Sequence, residues 1–277
     1  MRDRHEVLID EARCIGCGLC REDCPAANIV VEQGKAAVIS QDCLMCGHCV
    51  AICPQAAVTM TGFEEEPREL DAGAPTALDP DRLQQALGAR RSIRRFADRP
   101  VPDDVFARIV EAGRLTPTAK NEQDVSFVVL RDDIARFEAR AVRLFRRVMP
   151  FVRLTSSMAR RTSIDDRFFF KGAPAVIVVI ARGDIDGALA ASNMELMAQA
   201  HGLGVLYSGF FTMACRAGFV ASWGSAGSRR WSPRSCWGIR PCAIGAPPRR
   251  RRRRSAGSEA APTTLRLAAS GRSMTVP

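Results

Sequence analysis

Eight cysteines near the start of the chain repeat one spacing, and this repeat is the strongest constraint on the fold. The run C-x2-C-x2-C-x3-C-P occurs twice within the first 54 residues, as Cys14, Cys17, Cys20 and Cys24 before Pro25 and as Cys43, Cys46, Cys49 and Cys53 before Pro54. Three closely spaced thiolates on a tight loop can cap three irons of a four-iron cube, and the fourth iron then needs a thiolate from elsewhere. The doubled run therefore predicts two [4Fe-4S] clusters.

Zinc sites and disulfides are the alternative uses of such cysteines. C-x2-C pairs also bind zinc, but zinc takes only four ligands per ion and leaves the repeated C-x3-C-P unexplained. Disulfides belong to oxidising compartments, whereas residues 1–11 are charged and lack the apolar stretch of a signal peptide. The longest apolar run, residues 173–181, suits a buried strand. We therefore expect a cytoplasmic protein with reduced thiols and no membrane partner.

The spacing resembles that of two-cluster bacterial ferredoxins, and the resemblance implies how the ligands are shared. In those proteins the remote cysteine of each run ligates the other cluster. One cluster would then be held by Cys14, Cys17, Cys20 and Cys53, and the second by Cys24, Cys43, Cys46 and Cys49. Residues 1–61 are interpreted as this ferredoxin domain.

The positive charge of the chain is concentrated in its last part. The formal net charge is +10, yet thirteen of the 40 Lys and Arg residues and one of the 30 acidic residues lie from Arg216 onward, which leaves a net charge of −2 before it. The arginine tract at residues 249–254 would ordinarily suggest nucleic-acid binding. No aromatic platform or folded basic face accompanies it, so we expect no nucleic-acid partner.

Helix and strand patterns alternate after a linker at residues 62–80, which is rich in Glu, Ala, Pro and Gly. Asp79 or Asp81 can cap the first helix, and apolar stripes at helical spacing mark later ones. β-branched apolar runs indicate buried strands. Helices are predicted at about residues 81–87, 102–113, 141–149 and 193–201, and strands at residues 125–130 and 175–180. This mixture predicts an α+β domain.

Three motifs of this domain carry groups suited to a phosphorylated planar cofactor. Residues 90–96, R-R-S-I-R-R-F, supply guanidinium groups and a hydroxyl that can bind a phosphate dianion. Residues 116–123, T-P-T-A-K-N-E-Q, supply hydroxyl and amide groups able to read the edge of a heterocycle. Residues 201–211 contain G-L-G and Y-S-G-F-F, where backbone amides can approach a ring. Taken alone, the first motif could also be a solvated basic face.

The order and the residues of these motifs resemble those of the nitroreductase family over about residues 79–214. Together with the amino-terminal module, the chain resembles the ferredoxin-fused branch of that family. The resemblance implies FMN at a homodimer interface in an α+β fold. By position, phosphate ligands are expected at Arg90, Arg91, Ser92 and Arg94, flavin contacts at Pro117, Thr118 and Asn121, and backbone near the ring's N5 edge at Ser208 and Gly209. The chain departs from the family motif at Asp124, where a proline is usual, and lacks the acidic residue usual near Ser208.

The abrupt change of composition beyond about Met213 suggests that residues 216–277 are an Arg-rich tail read in the wrong frame. Shifting the implied codons back by one nucleotide turns Trp237 and Gly238 into Leu and Gly, and residues 239–246 then permit Y-P-P-V-R-Y-R-R. The resulting segment resembles the closing segment of nitroreductases. As it stands, the tail is expected to be largely disordered and to leave the domain without its closing strand.

These expectations combine into one function and two alternatives. Residues 81–215 are interpreted as a truncated FMN domain that receives electrons from the clusters and reduces a nitroaromatic, a quinone or a similar electron-poor small molecule. No upstream electron donor is indicated by the sequence. The alternatives are an electron-transfer protein without small-molecule turnover and a product in which only the ferredoxin module works.

Overall fold

Short strands and helical turns surround the cysteine runs of the amino-terminal module. The computed structural model describes residues 5–40, 42–62, 78–216 and 240–245. Within residues 5–62 the elements are β1 (Val7–Ile9), α1 (Leu19–Glu22), β2 (Ile29–Glu32), β3 (Lys35–Val38), α2 (His48–Ala51) and β4 (Val58–Met60). Strand β1 pairs antiparallel with β4, and β2 pairs antiparallel with β3.

Each helix of this module begins directly after a glycine in the left-handed conformation. Gly18 has φ of 81° and Gly47 has φ of 74°, values that would strain a residue with a side chain. The tight turn brings the third cysteine of each run, Cys20 or Cys49, into the interior. Buried beside them are Ile29, Ala36 and Val58. With so few apolar side chains the cysteines form a large part of this core.

The second module contains a mixed set of helices around one sheet. Its helices are α3 (Pro80–Ala89), α4 (Asp103–Arg114), α5 (Ile134–Thr155), α6 (Ser157–Arg161), α7 (Asp184–Ala200) and α8 (Gly209–Arg216). Its strands are β5 (Ser126–Leu130), β6 (Ala175–Ile180), β7 (Gly204–Tyr207) and β8 (Arg240–Gly245). The sheet has the order β5-β6-β8-β7, and each neighbouring pair is antiparallel.

Strand β6 separates two layers of the core because its side chains alternate between the two faces of the sheet. Val176, Val178 and Ile180 pack with α5 and α8 on one face. Ala175, Ile177 and Val179 pack with α4 and α7 on the other face. All six residues of β6 are buried, as the uninterrupted apolar run predicts. The α+β expectation is confirmed, and no helix in the described part of the chain combines the length and apolar character needed to cross a membrane.

The predicted helices are confirmed in place, although two of them are longer than expected. Asp79 caps α3, with Oδ1 accepting a hydrogen bond from Arg82 N at 2.9 Å. Helix α5 has 22 residues and α7 has 17, so both begin well before residues 141 and 193. The first half of α7 is rich in alanine and carries no distinct apolar stripe, which hid its start. Strand β7 and helix α8 were not predicted, because each is short.

The predicted linker and the predicted tail lie mostly outside the residues that the structure describes. The linker falls largely on residues 63–77, which lie outside the described residues. Most of the tail also lies outside them. The tail is expected from the sequence to be largely disordered and to leave the domain without its closing strand, and the second expectation is wrong at Arg240–Gly245. These residues form β8 between β6 and β7, where Ile244 is fully buried. The segment pairs antiparallel with both of its neighbours, which offer it two hydrogen-bonding edges.

Candidate functional site

Two cavities in the amino-terminal module are each lined by four cysteines. The first cysteine cavity is lined by Cys14, Cys17, Cys20 and Cys53. The second cysteine cavity is lined by Cys24, Cys43, Cys46 and Cys49. The fourth cysteine of each run therefore lies in the cavity of the other run. This is the grouping that the ferredoxin resemblance implies.

Backbone N–H groups point at several of these sulfurs. The donors are Ala36 N to Cys14 Sγ at 3.4 Å, Ala57 N to Cys53 Sγ at 3.3 Å, Asn28 N to Cys24 Sγ at 3.4 Å and Met45 N to Cys43 Sγ at 3.4 Å. Hydrogen bonds from the Ala36 and Gly16 amides lower the pKa of Cys14. Burial instead raises the pKa of Cys20, and it raises the pKa of Cys49 to about 11. The amides favour the thiolate that iron requires, while burial excludes water.

The geometry of the cysteines differs from that of a single-ion site. In the described residues, no three His, Cys, Asp or Glu side chains converge as they would on one metal ion. The four sulfurs of each group instead surround a space, which fits a four-iron cube with one thiolate on each iron. The residues present therefore fit two such clusters.

The arginine motif divides between the interior of the fold and an open surface. Arg90 Nη1 donates to Oε2 of the buried Glu195 at 3.0 Å. Arg91 Nη1 donates to the carbonyl oxygens of Gly88 at 2.9 Å and Arg90 at 2.7 Å. Ser92 is exposed. Two of the expected phosphate ligands are thus engaged with the protein itself.

Arg94 is brought to an open cleft because the residue before it is fixed to strand β7. Ile93 N donates to Val205 O at 3.0 Å. The Ile93 side chain also covers Gly204, where an added Cβ would lie 2.4 Å from Ile93 Cγ1. Glycine is therefore required where the Ile93 side chain lies against the backbone of β7. The next residue, Arg94, reaches the cleft at the end of β7.

The cleft has a volume of about 410 Å³ and collects three of the expected site residues. Its polar lining includes Arg94, Lys171, Ser208 and Gly209, and its apolar lining includes Phe168, Phe169 and Phe210. Cofactor sites commonly have volumes of about 300–1,000 Å³, with apolar walls and a few polar groups. Within the described part of the chain Arg94 has no hydrogen-bond or ion-pair partner. The cation is therefore available to an anion in this cleft.

The loop of residues 116–123 is braced from several sides. Its hydrogen bonds include Asn193 Nδ2 to Thr116 Oγ1 at 2.8 Å, Gln123 N to Thr118 Oγ1 at 2.8 Å and Ala119 N to Asp186 Oδ1 at 3.1 Å. Pro117 is exposed. Among the described residues that line the cleft of Arg94, none belongs to this loop. The structure therefore does not bring Pro117, Thr118 and Asn121 together with Arg94 in that cleft.

Asn121 has contacts that the sequence did not indicate. Its Nδ2 donates to Met45 O at 2.7 Å and to Leu44 O at 3.2 Å. Leu44 and Met45 lie between Cys43 and Cys46, and Leu44 lines the second cysteine cavity. An expected flavin contact of the second module thus binds the backbone of a cysteine loop in the first.

Comparison with family models decides between the possible identities of the two modules. The model of the nitroreductase family matches residues 87–223, and the model of the 4Fe-4S dicluster domain matches residues 6–54. The chain joins a 4Fe-4S dicluster domain to a nitroreductase-family domain. The family match extends past residue 215, where the sequence analysis ended the domain.

Two archaeal proteins resemble parts of this dicluster nitroreductase-family chain. One from Methanothermobacter thermautotrophicus, provisionally named NADH dehydrogenase/NAD(P)H nitroreductase, is 26% identical over an alignment of 141 residues that covers 48% of this chain and 63% of the relative. A protein of the same name from Archaeoglobus fulgidus is 46% identical over 43 residues, which are 16% of this chain and 25% of the relative. The chain thus spans less than two thirds of each relative's length.

Solved structures also resemble the nitroreductase-family domain. A nitroreductase with bound FMN from Bacteroides fragilis NCTC 9343 has a TM-score of 0.46 at 18% identity, covering 65% of this chain and 97% of that chain. A BluB-like flavoprotein from Clostridium difficile 630 has a TM-score of 0.48 at 19% identity, covering 64% of this chain and 94% of that chain.

Sequence reasoning missed the wall of the cleft and the residue that supports it. Glu138 Oε1 accepts hydrogen bonds from Phe169 N and Phe170 N, both at 2.8 Å. Phe168 and Phe169 line the cleft beside Lys171. The run F-F-F-K at residues 168–171 is the local signal that could have indicated an aromatic wall with a cation. Glu138 gives no such signal, because its partners are backbone groups of a distant segment.

Proposed function

We propose that this chain is an FMN-dependent oxidoreductase that receives electrons through its own 4Fe-4S clusters and reduces nitroaromatic, quinone or similar electron-poor molecules. The observation that carries the proposal is the cleft in which Arg94 meets Ser208 and Gly209. Two tetracysteine cavities in the same chain supply the sites for one-electron carriers. FMN, when bound, can accumulate two electrons and deliver them as hydride.

The residues of the cleft fit FMN in charge, shape and polarity. Arg94 offers a guanidinium to the phosphate, which it can bind through forked charge-assisted hydrogen bonds. Phe168, Phe169 and Phe210 offer apolar surface to a planar ring. Gly209 lacks a side chain, and an added Cβ there would meet open space. The backbone at Ser208 and Gly209 can therefore approach the edge of a ring.

Further phosphate and flavin contacts would require changes around the cleft. Arg90 would have to exchange its hydrogen bond with Glu195 for a phosphate, and Arg91 its bonds to backbone oxygens. Ser92 is exposed and could bind phosphate without such exchange. Pro117, Thr118 and Asn121 would contribute from the neighbouring loop. All of these residues are proposed cofactor contacts.

Protons for the reduced product are proposed to come from water. Tyr207 lines the cleft, but its hydroxyl donates to Ala191 O at 2.9 Å. This bond fixes the ring against α7, so the tyrosine serves the packing of the cleft wall. The acceptor would bind against the exposed face of the flavin between the aromatic side chains. The remaining role of the protein is to hold both reactants in this apolar cleft.

A second copy of the chain is proposed as a partner. The end of α5 and the start of α6 expose large apolar side chains, with Phe151 72% exposed, Leu154 78% and Met158 59%. A cluster of such side chains is typical of a protein interface. We propose that a homodimer covers this surface. The eight thiolates needed for the clusters also favour a reducing compartment, the cytoplasm.

Steady-state reduction of nitro compounds and quinones tests the proposed function. The protein, purified anaerobically, would be reduced with a low-potential one-electron donor and mixed with a nitroaromatic or a quinone. We expect multiple turnovers that depend on bound FMN. Arg95→Ala, at an exposed arginine of the same motif for which we propose no phosphate contact, serves as the matched control and should retain turnover. A protein that reoxidises only with another protein would be an electron carrier, and this result would contradict the proposal.

A further inference from the structure

We propose that Asn121 is a positioning residue that holds the loop of the second cysteine cavity against the loop of residues 116–123, so that the cluster at Cys24, Cys43, Cys46 and Cys49 is the one that donates electrons to the flavin. The inference rests on the proposed function and names the exit cluster within it. Its basis is the pair of hydrogen bonds from Asn121 Nδ2 to Met45 O at 2.7 Å and Leu44 O at 3.2 Å. These contacts join the two modules.

On the cluster side, one residue connects Asn121 to a cluster ligand. Met45 N donates to Cys43 Sγ at 3.4 Å, while Met45 O accepts from Asn121. Met45 has φ of 52°, a left-handed conformation that is uncommon for a residue with a side chain. This conformation accompanies a peptide arrangement in which the N–H faces the sulfur and the carbonyl faces the second module. Cys43, Met45 and Asn121 thereby form a continuous hydrogen-bonded connection between the second cysteine cavity and the loop of residues 116–123.

On the flavin side, Asn121 is held in place before the contact is made. Its φ is 51°, and asparagine tolerates the left-handed region better than most residues. Its N–H donates to Thr118 O at 2.9 Å. The loop is further tied to α7 through Ala119 N and Asp186 Oδ1 at 3.1 Å. A half-buried amide on a braced loop loses little conformational entropy on binding the cluster loop.

Each cofactor would gain or lose one electron in each transfer. In one transfer the reduced cluster at the second cysteine cavity is oxidised by one electron and the flavin is reduced by one electron. Two transfers, together with two protons from water, complete the reduction of the flavin. A low-potential one-electron donor restores each electron to the clusters. Asn121 takes no electron itself and acts by fixing the position of the cluster loop.

Hydrogen–deuterium exchange of the cluster loop tests the contact without relying on activity. Asn121→Gly removes the amide and introduces no strain at a left-handed position, whereas Asn121→Asp keeps the size but replaces the donor with an acceptor. Glu122→Gln changes the next residue, whose carboxylate lies 3.8 Å from Arg182 and away from the cluster loop, and serves as the control. Iron and FMN contents are measured on each protein.

We expect exchange in a peptide spanning residues 42–47 to become about ten-fold faster in both Asn121 variants, the factor that corresponds to about 1.4 kcal/mol. Exchange in the Glu122→Gln protein should match that of the unaltered chain. Bleaching of the flavin by reduced methyl viologen should be slowed in the same two variants. Unaltered iron content would show that the clusters themselves are intact.

Two results would overturn the inference. Unchanged exchange at residues 42–47 in variants that retain their iron would mean that Asn121 does not hold the loop. Loss of FMN with unchanged exchange would mean that Asn121 contacts the flavin alone, which leaves the proposed function intact. A chain that binds no FMN would contradict the proposed function instead, while the exchange experiment would still report on the contact between Asn121 and Met45.

Discussion

Arg90 Nη1 lies 3.1 Å from Oε1 and 3.0 Å from Oε2 of Glu195, so one guanidinium nitrogen meets both carboxylate oxygens. The Glu195 side chain is only 8% exposed. The hydrogen bond and the charge of Glu195 raise the pKa of Arg90. Arg94, four residues later, is exposed in the cleft. Two arginines of one motif therefore have different surroundings, and their substitution should have different effects.

Arg94→Ala should lower the affinity for FMN about ten-fold or more, because it removes a charge-assisted contact with phosphate. Its melting temperature without added FMN should stay unchanged. Arg90→Ala should lower that melting temperature, because the buried carboxylate of Glu195 loses its cation. Fluorescence titration with FMN and thermal unfolding measure the two effects. Unchanged FMN affinity in Ala variants of Arg90, Arg91 and Arg94 alike would mean that the motif does not bind the FMN phosphate.

Gly209→Ala should weaken FMN binding without destabilising the fold. An added Cβ at Gly209 meets open space in the protein, and alanine in place of glycine restricts the unfolded chain, which is worth about 0.4–1 kcal/mol of stability. The same methyl group would lie where backbone is proposed to approach the ring. Urea unfolding and FMN titration of the variant measure both effects. Retention of full FMN affinity would place the ring elsewhere.

Glu138 should make the stability of the domain depend on pH. Burial raises the pKa of Glu138, with the Phe170 and Phe169 amides opposing it. Because the unfolded pKa is lower, at about 4.3, the folded state binds the proton more tightly. The contribution of Glu138 to the free energy of unfolding is therefore present at low pH and is lost as pH rises through the folded pKa. Urea unfolding measured as pH is raised from below about 4.3 should show this loss, and Glu138→Gln should lack it.

Glu138→Leu provides the matched comparison at the same position. Glutamine keeps an oxygen that can accept hydrogen bonds from Phe169 N and Phe170 N. Leucine leaves both buried N–H groups without this acceptor. An unsatisfied buried donor costs about 1–3 kcal/mol. The leucine variant should therefore be the less stable of the two. Equal stability of both variants would show that these hydrogen bonds contribute nothing to the cleft wall.

The grouping of the eight cysteines around two cavities was predictable from their sequence spacing, whereas the contacts of the cleft were not. Strand β6 was also predictable, since its apolar run is continuous. The meeting of Arg94 with Ser208 depends on the hydrogen bond from Ile93 to Val205, which joins distant segments. Asn121 and Met45 are 76 positions apart. No local pattern specifies such pairs, because tertiary packing creates them.

The frame of the last segment stays a prediction that the gene can test. The hypothesis that the chain beyond about Met213 is read out of frame predicts an open shifted frame that encodes Leu and Gly at positions 237 and 238. Strand β8 shows that Arg240–Gly245 can nevertheless pair with β6 and β7. Resequencing the gene, together with the intact mass of the protein, decides the matter. An early stop codon in the shifted frame would exclude the hypothesis.

The cofactor content of the anaerobically purified protein tests the central claim most directly. The account predicts about eight irons and eight sulfides per chain with FMN bound, because each tetracysteine cavity suits one four-iron cube. Cys14→Ser and Cys43→Ser should each impair a different cluster, since these residues line different cavities. Stoichiometric zinc without visible charge-transfer absorption, or a protein with eight irons that binds no FMN, would contradict the account.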